Sequence, residues 1–226
     1  LSRFPEELAA LAAEEKQRVS DRCVGNLALD LGPRYTPSRA TLEGFQVYAA
    51  KFQQPALAKL LAFAACAEAR TVEGRGLILF GPVGTGKDHL LAALLYGLAA
   101  KGVACRWVNG QSFYGRFRDA IDKRRPEVEL VREFCEPTVL AISDPVPPVG
   151  DPTAWNVTQL YRVLDERYRQ LKPTWAALNA KRGLLADRTC GDVILRVDTA
   201  AARSRAGRRD AVRDRVRIAV DHRGDQ

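Results

Sequence analysis

Residues 76–89, GLILFGPVGTGKDH, narrow the folds open to this chain more than any other stretch. Leu77 to Phe80 form a short apolar run of the kind that becomes a strand buried on both faces. Gly81-Pro82-Val83-Gly84-Thr85-Gly86-Lys87 follows at once and fits G-x-x-x-x-G-K, a loop that cradles phosphates. Leu90, Leu91, Leu94, Leu95 and Leu98 then recur at helical spacing as far as Lys101-Gly102, a helix end. Strand, glycine loop and helix in that order are the context such a motif requires. Its glycines let the backbone wrap a polyphosphate closely with N–H groups pointing inward. The helix N-terminus adds a favourable dipole, and Lys87 supplies a point charge for the outer phosphates. The expected cofactor-contacting residues are therefore Gly81, Pro82, Val83, Gly84, Thr85, Gly86, Lys87, Asp88 and His89.

Where the motif places Ser or Thr to give magnesium a hydroxyl ligand, this chain has Asp88. A carboxylate also binds a hard cation. It carries negative charge toward a polyphosphate, however, so nucleotide binding should depend on metal more steeply than usual. The alternative is that Asp88 caps the helix and pairs with Lys87, which would weaken binding. The preferred expectation is a working site with altered metal geometry.

The chain has 226 residues, 46% of them hydrophobic, enough for one main domain with small extensions. No stretch approaches the length and apolarity of a membrane span. The opening LSRFPEELAALAAEEKQ lacks the apolar core of a secretory signal, so a cytoplasmic location is expected. The five cysteines are scattered and never form C-x-x-C, which argues against a disulfide framework or zinc knuckle. A net charge of +8 leans toward polyanionic partners, DNA or RNA above all.

Pro5, Glu6 and Glu7 suit a helix start, and Phe4, Leu8 and Leu11 put a thin apolar stripe on a helix running to about Arg22. That stripe either packs lightly at home or docks on a partner. Residues 32–37 read as a linker, and a long helix is expected from about Pro55 to Arg70. Further strands are expected over 103–108, 138–143 and 174–178, with helices over 126–135 and from Val157 through Leu160, Tyr161, Leu164 and Tyr168 to Leu171. Alternation of this kind implies an α/β fold, a parallel sheet between helical layers with ligands at the carboxyl ends of its strands. Gly81, Asp144 and Asn179 all fall at such ends. Asp144 is placed to hold magnesium, usually through water, and Asn179 to orient a water or touch a terminal phosphate. The domain plan is a helical extension over 1–38, a nucleotide-binding domain over 39–186, and an Arg-rich segment over 187–226. That last segment reads equally as a basic arm or as translation out of frame.

GPVGTGKDHLLAAL, VLAISD and PTWAALN resemble the AAA+ ATPases of the DnaC helicase-loader and IstB transposition-helper group, over roughly residues 35–185. The resemblance implies a P-loop three-layer α/β/α fold that binds ATP and magnesium. It implies DNA, single- or double-stranded, and a replicative helicase or a transposase as partners, with self-assembly. By motif position Gly81 to His89 would be Walker A, Asp144 the Walker B aspartate and Asn179 sensor 1. Lys87, Asp144 and Asn179 would be the catalytic set, and Asp88 and Asp144 the metal ligands. The family's Walker B usually continues with a second acid, and here the next residue is Pro145. Loss of a general base costs roughly 10²–10⁴ in rate, so slow hydrolysis is expected. Asp151 could substitute. Gly191 to Val197 only approximates the family's arginine segment, its Arg196 one position early. A non-hydrolysing adaptor is the main alternative, and a small-molecule kinase on the same loop a weaker one.

Phe113, Tyr114, Arg116, Phe117 and Arg118, with Lys123, Arg124 and Arg125, mix aromatic and basic groups as single-strand binders do. The phenylalanines are four apart and are read as a buried helix face. The five cations remain candidate phosphate contacts. His89 is read as a packing residue at the helix start in preference to a catalyst.

Overall fold

The computed structural model of the chain describes residues 4–44, 54–80, 83–145, 153–179 and 217–219. In chain order the elements are α1 (Phe4–Leu31), α2 (Gln54–Ala65), α3 (Ala67–Val72), β1 (Leu77–Phe80), α4 (Lys87–Ala99), β2 (Cys105–Asn109) and α5 (Gly110–Asp122). Then come α6 (Glu127–Cys135), β3 (Val139–Ser143), α7 (Ala154–Arg169), β4 (Thr174–Leu178) and β5 (Arg217–Ala219). The strands form one sheet in the order β2-β3-β4-β1-β5, parallel throughout. This is the expected α/β architecture, and β1, β3 and β4 appear where continuous apolar runs place them.

Alternation along each strand divides the core in two. Leu77, Leu79, Val139, Ala141, Trp175 and Ala177 face a layer formed by α1, α2 and α4. Ile78, Leu140, Ile142 and Leu178 face the opposite layer, where Phe113 and Phe117 of α5 and Phe134 of α6 cluster. Both α5 phenylalanines are fully buried, which accounts for their spacing. Along α7, Leu160, Val163 and Leu164 point inward, while Tyr161 on the helix and Leu171, two residues past its end, are half exposed, so the stripe is narrower and shorter than the sequence suggested.

Helix α1 runs nine residues beyond the expected Arg22 and stops at Gly32, whose φ of 69° suits glycine. Leu8 and Leu11 are exposed, but Leu27 and Leu31 sit in the core. Ser20 Oγ donates to Ala100 O at 2.9 Å. Asp30 accepts the backbone N–H of Trp107 at 3.2 Å and lies 3.8 Å from Arg106 Nε. Among the described residues β2 is an edge strand, and the Asp30 carboxylate of α1 takes up one of its N–H groups. The second half of α1 therefore packs as part of the main core. The helix expected over Pro55–Arg70 is broken at Cys66, whose backbone leaves the helical region (φ −113°, ψ 15°). Of the Arg-rich tail, Arg217–Ala219 pairs with β1 as the fifth strand. Asp151 and the segment 191–197 lie outside the described residues.

Arg167 of α7 is wholly buried. Its guanidinium donates to the carbonyls of Phe134, Pro137, Thr138 and Pro173 and to the Thr174 hydroxyl. Burial pulls it down to about 10, so it keeps its charge at neutral pH. It joins the end of α6 to the starts of β3 and β4. No helix among the described residues is long and apolar enough to cross a membrane.

Cys105 and Cys135 are buried, and burial raises both thiols, Cys105 to about 12. Cys66 is exposed. At pH 8 an alkylating reagent should modify Cys66 at least about a hundredfold faster than Cys105, because only the thiolate reacts. Peptide mapping after a short labelling pulse reads this out; comparable labelling of the two would contradict the burial of β2.

Candidate nucleotide site

The register of the sheet sets the ends of its central strands side by side. Phe80 pairs with Leu178, and Ser143 with Ala177. The glycine loop after β1, Asp144 after β3 and Asn179 after β4 therefore share one edge, the carboxyl edge where parallel sheets bind ligands.

Gly81 and Pro82 lie outside the described residues. Gly84 and Gly86 take φ values of 81° and 85°, a left-handed region costly for residues with a Cβ. Gly86 is the N-cap of α4, so Lys87 and Asp88 occupy its first turn. Val83 is exposed at the loop tip, whereas Thr85 and Lys87 are buried. Lys87 Nζ lies 3.4 Å from Thr85 Oγ1. Burial lowers the Lys87 ammonium below the usual lysine range, while the charges of Asp144 and Asp88 oppose that shift.

Asp88 reaches across to β3, where Ser143 Oγ donates to its Oδ1 at 2.6 Å. Asp144 has a φ of 49°, unusual for a residue with a side chain. Its N–H donates to Ala177 O at 2.8 Å. Its carboxylate accepts two bonds from Asn179, from the backbone N–H at 3.2 Å and from Nδ2 at 2.7 Å. Burial raises the Asp144 carboxyl above the usual range and Asp88 adds to the rise, with Lys87 and the Asn179 N–H opposing. Lys87, Asp88, Asp144 and Asn179 are thus brought together. Two carboxylates and the Ser143 hydroxyl are hard oxygen donors beside one cation, a set suited to magnesium. Among the described residues, no third His, Cys, Asp or Glu joins them in a metal-binding group.

His89 sits outside that cluster. Its Nε2 is 3.1 Å from Thr41 O and its ring meets Tyr35 edge-on. Pro145 is buried, and its carbonyl accepts the Tyr114 hydroxyl at 2.6 Å.

The five candidate phosphate contacts lie on α5 and just beyond it. Arg118, Lys123 and Arg124 are exposed. Arg116 lies over the Phe134 ring and Arg118 over Trp155. Arg125 is engaged by Glu129 at 3.0 Å and Glu133 at 2.5 Å. Asp119 and Glu133 share a shallow cavity of about 230 Å³ with Arg116, Lys123 and Arg125, so its wall is mixed in charge, not uniformly basic.

Sequence reasoning missed Ser143, Tyr114 and Gly110 as parts of this edge. A Cβ at Gly110 would lie 2.1 Å from Asp144 O, so this glycine makes room for the chain leaving β3. The signals available were a polar residue ending an apolar strand and a glycine following Asn109.

No family model matches the chain. Over 100 residues it is 29% identical to a Mycobacterium tuberculosis protein named for ATP binding in an insertion sequence. The match covers 44% of this chain and 39% of that relative, well under half its length. The crystal structure of the DnaC helicase loader superposes with a TM-score of 0.53 at 19% identity, covering 75% of this chain and 90% of that one. AMPPCP-bound DnaA from Aquifex aeolicus gives 0.55 at 20% identity over 72% of this chain and 47% of that one. The replication initiator DnaA bound to AMPPCP and single-stranded DNA gives 0.58 at 17% identity, over 86% and 51%. A parallel sheet in this order, with a glycine loop at its carboxyl edge, is a P-loop α/β fold, the fold the chain shares with these solved structures. The chain is thus similar in fold to the DnaC loader and, over those 100 residues, in sequence to the ATP-binding protein of an insertion sequence.

Proposed function

We propose that the chain binds ATP with magnesium at the carboxyl edge of its sheet and couples the bound state to assembly on DNA with a protein partner. The observation that carries this reading is the convergence of Lys87, Asp88, Asp144 and Asn179 beside a loop whose glycines hold left-handed conformations. Lys87 would meet the outer phosphates, and Asp88 and Asp144 would balance the charge of a metal. Asn179 fixes the orientation of the Asp144 carboxylate. The partner is a replicative helicase or a transposase, the location cytoplasmic, and self-assembly belongs to the same reading. Arg116, Arg118, Lys123 and Arg124 are the proposed DNA contacts. Arg125, tied to two glutamates, would have to exchange them for phosphate.

Lys87→Ala should weaken ATP binding by about 10- to 100-fold, the weight of a charge-assisted contact. Equilibrium titration with a fluorescent ATP analogue measures this, and equal affinity in the two proteins would refute the site. The second reading is an adaptor that binds nucleotide without turning it over. Pro145 favours it, since its side chain cannot take a proton. Phosphate release measured with DNA and partner present separates the two: turnover abolished by Asp144→Ala eliminates the adaptor.

A further inference from the structure

We propose that in this chain the glycine loop and β3 have exchanged the two side chains that hold the nucleotide's metal, Asp88 supplying the carboxylate and Ser143 the hydroxyl. The inference rests on the nucleotide-binding reading above. In P-loop enzymes a hydroxyl from the loop and a carboxylate from a neighbouring strand hold magnesium together. Here the residue after Lys87 is an acid and the last residue of β3 is a serine, and they meet at 2.6 Å. The same two groups face each other across the same gap with their origins reversed. Ser143 is buried, so its hydroxyl is committed to that contact.

The exchange changes the role of Asp144. Asp144 lies one residue beyond β3, where strand alternation no longer sets its direction. Its left-handed backbone turns it toward β4, where Asn179 holds both of its oxygens. Asp144 thus stands one residue past the strand end, where a second acid would stand if Ser143 occupied the metal-ligand position. The acid missing at Pro145 is then not missing at all. The Asp144 carboxylate takes a proton from water as the water oxygen attacks the terminal phosphorus. The bridging P–O bond breaks and its electron pair leaves with the ADP β-phosphate.

The test is the magnesium-dependent gain in affinity for AMPPCP, measured in the unaltered chain and in four variants. Asp88→Asn keeps an oxygen for Ser143 to donate to, and its melting curve reports folding. It should lose at least about tenfold of the metal-dependent gain. Asp88→Ser should lose as much, and the double variant Asp88→Ser with Ser143→Asp should recover most of it. Asp144→Asn should keep the gain while phosphate release, measured with ATP, falls by roughly 10²–10⁴. A gain lost in Asp144→Asn but kept in Asp88→Asn would overturn the exchange, and so would a double variant no better than Asp88→Ser. Failure of the unaltered chain to bind AMPPCP at all would remove the nucleotide reading, and the exchange with it.

Discussion

Replacing Arg167 by methionine is expected to lower the unfolding free energy by about 3–5 kcal/mol, the cost of opening a buried charged network on one side. Methionine fills a similar volume, so the loss comes from the acceptors and not from a cavity. Four carbonyls and the Thr174 hydroxyl lose their donor. The Phe134 carbonyl belongs to the last turn of α6, where no intrahelical partner exists and the helix dipole favours a cation. Among the described residues Arg167 forms no ion pair with a carboxylate; its charge rests on backbone dipoles. Arg167→Lys should recover only part of the loss, because an ammonium has three donors and no planar fork. Urea unfolding with an unchanged denaturant slope measures both. A Met variant within about 1 kcal/mol of the parent would mean that water or neighbouring groups satisfy those carbonyls instead.

The contrast between Arg167 and the central strands shows what was legible before any coordinates. Leu77–Phe80, Val139–Ser143 and Thr174–Leu178 announce themselves because strands buried on both faces need unbroken apolar runs. The glycine loop is equally plain, its spacing fixed by the local geometry of the turn. Phe113 and Phe117 were recognisable as core because four residues make a helical turn. Arg167 also stands at a core position of its helix, three residues after Leu164 and seven after Leu160. Its charge hid it: a guanidinium on an apolar stripe ordinarily reaches for solvent. What it bonds to comes from three other elements, and no local pattern reports that. Ser143 and Asp88 were hidden for a similar reason. They are 55 residues apart, and the sequence offers Asp88 the nearer choices of a helix cap or Lys87. Only the stacking of β3 beside the loop selects the serine. The extent of α1 escaped because Gly25 interrupts a polar, Ala-rich helix. Leu27 and Leu31, spaced for one buried face, were the signal that it continues.

Adding one methyl group at Gly110 is expected to damage both the fold and the candidate site. Gly110 is the first residue of α5, and its φ is not left-handed, so what matters there is space. A Cβ would lie 2.1 Å from Asp144 O, 2.9 Å from Asp144 C and 3.3 Å from Pro145 Cα. These are backbone atoms, which cannot rotate aside as a flexible side chain can. The segment 144–145 is also pinned where it is, by Asp144 N–H to Ala177 O and by the Tyr114 hydroxyl to Pro145 O. Either those bonds stretch or α5 backs away from the sheet, and Phe113 with it. The expected cost of Gly110→Ala is about 2–4 kcal/mol, at or somewhat above the usual range for overpacking because the clash is with main chain. Moving the chain at Asp144 also pulls on Ser143 and its contact with Asp88, so metal-dependent nucleotide binding should weaken together with stability. Gly115, on the same helix, has nothing within 4 Å of its would-be Cβ. Gly115→Ala should therefore stabilise the chain by about 0.5–1 kcal/mol through helix propensity alone. Parallel urea titrations of the two variants make the comparison, and equal stabilities would show that the chain leaving β3 is not wedged against α5.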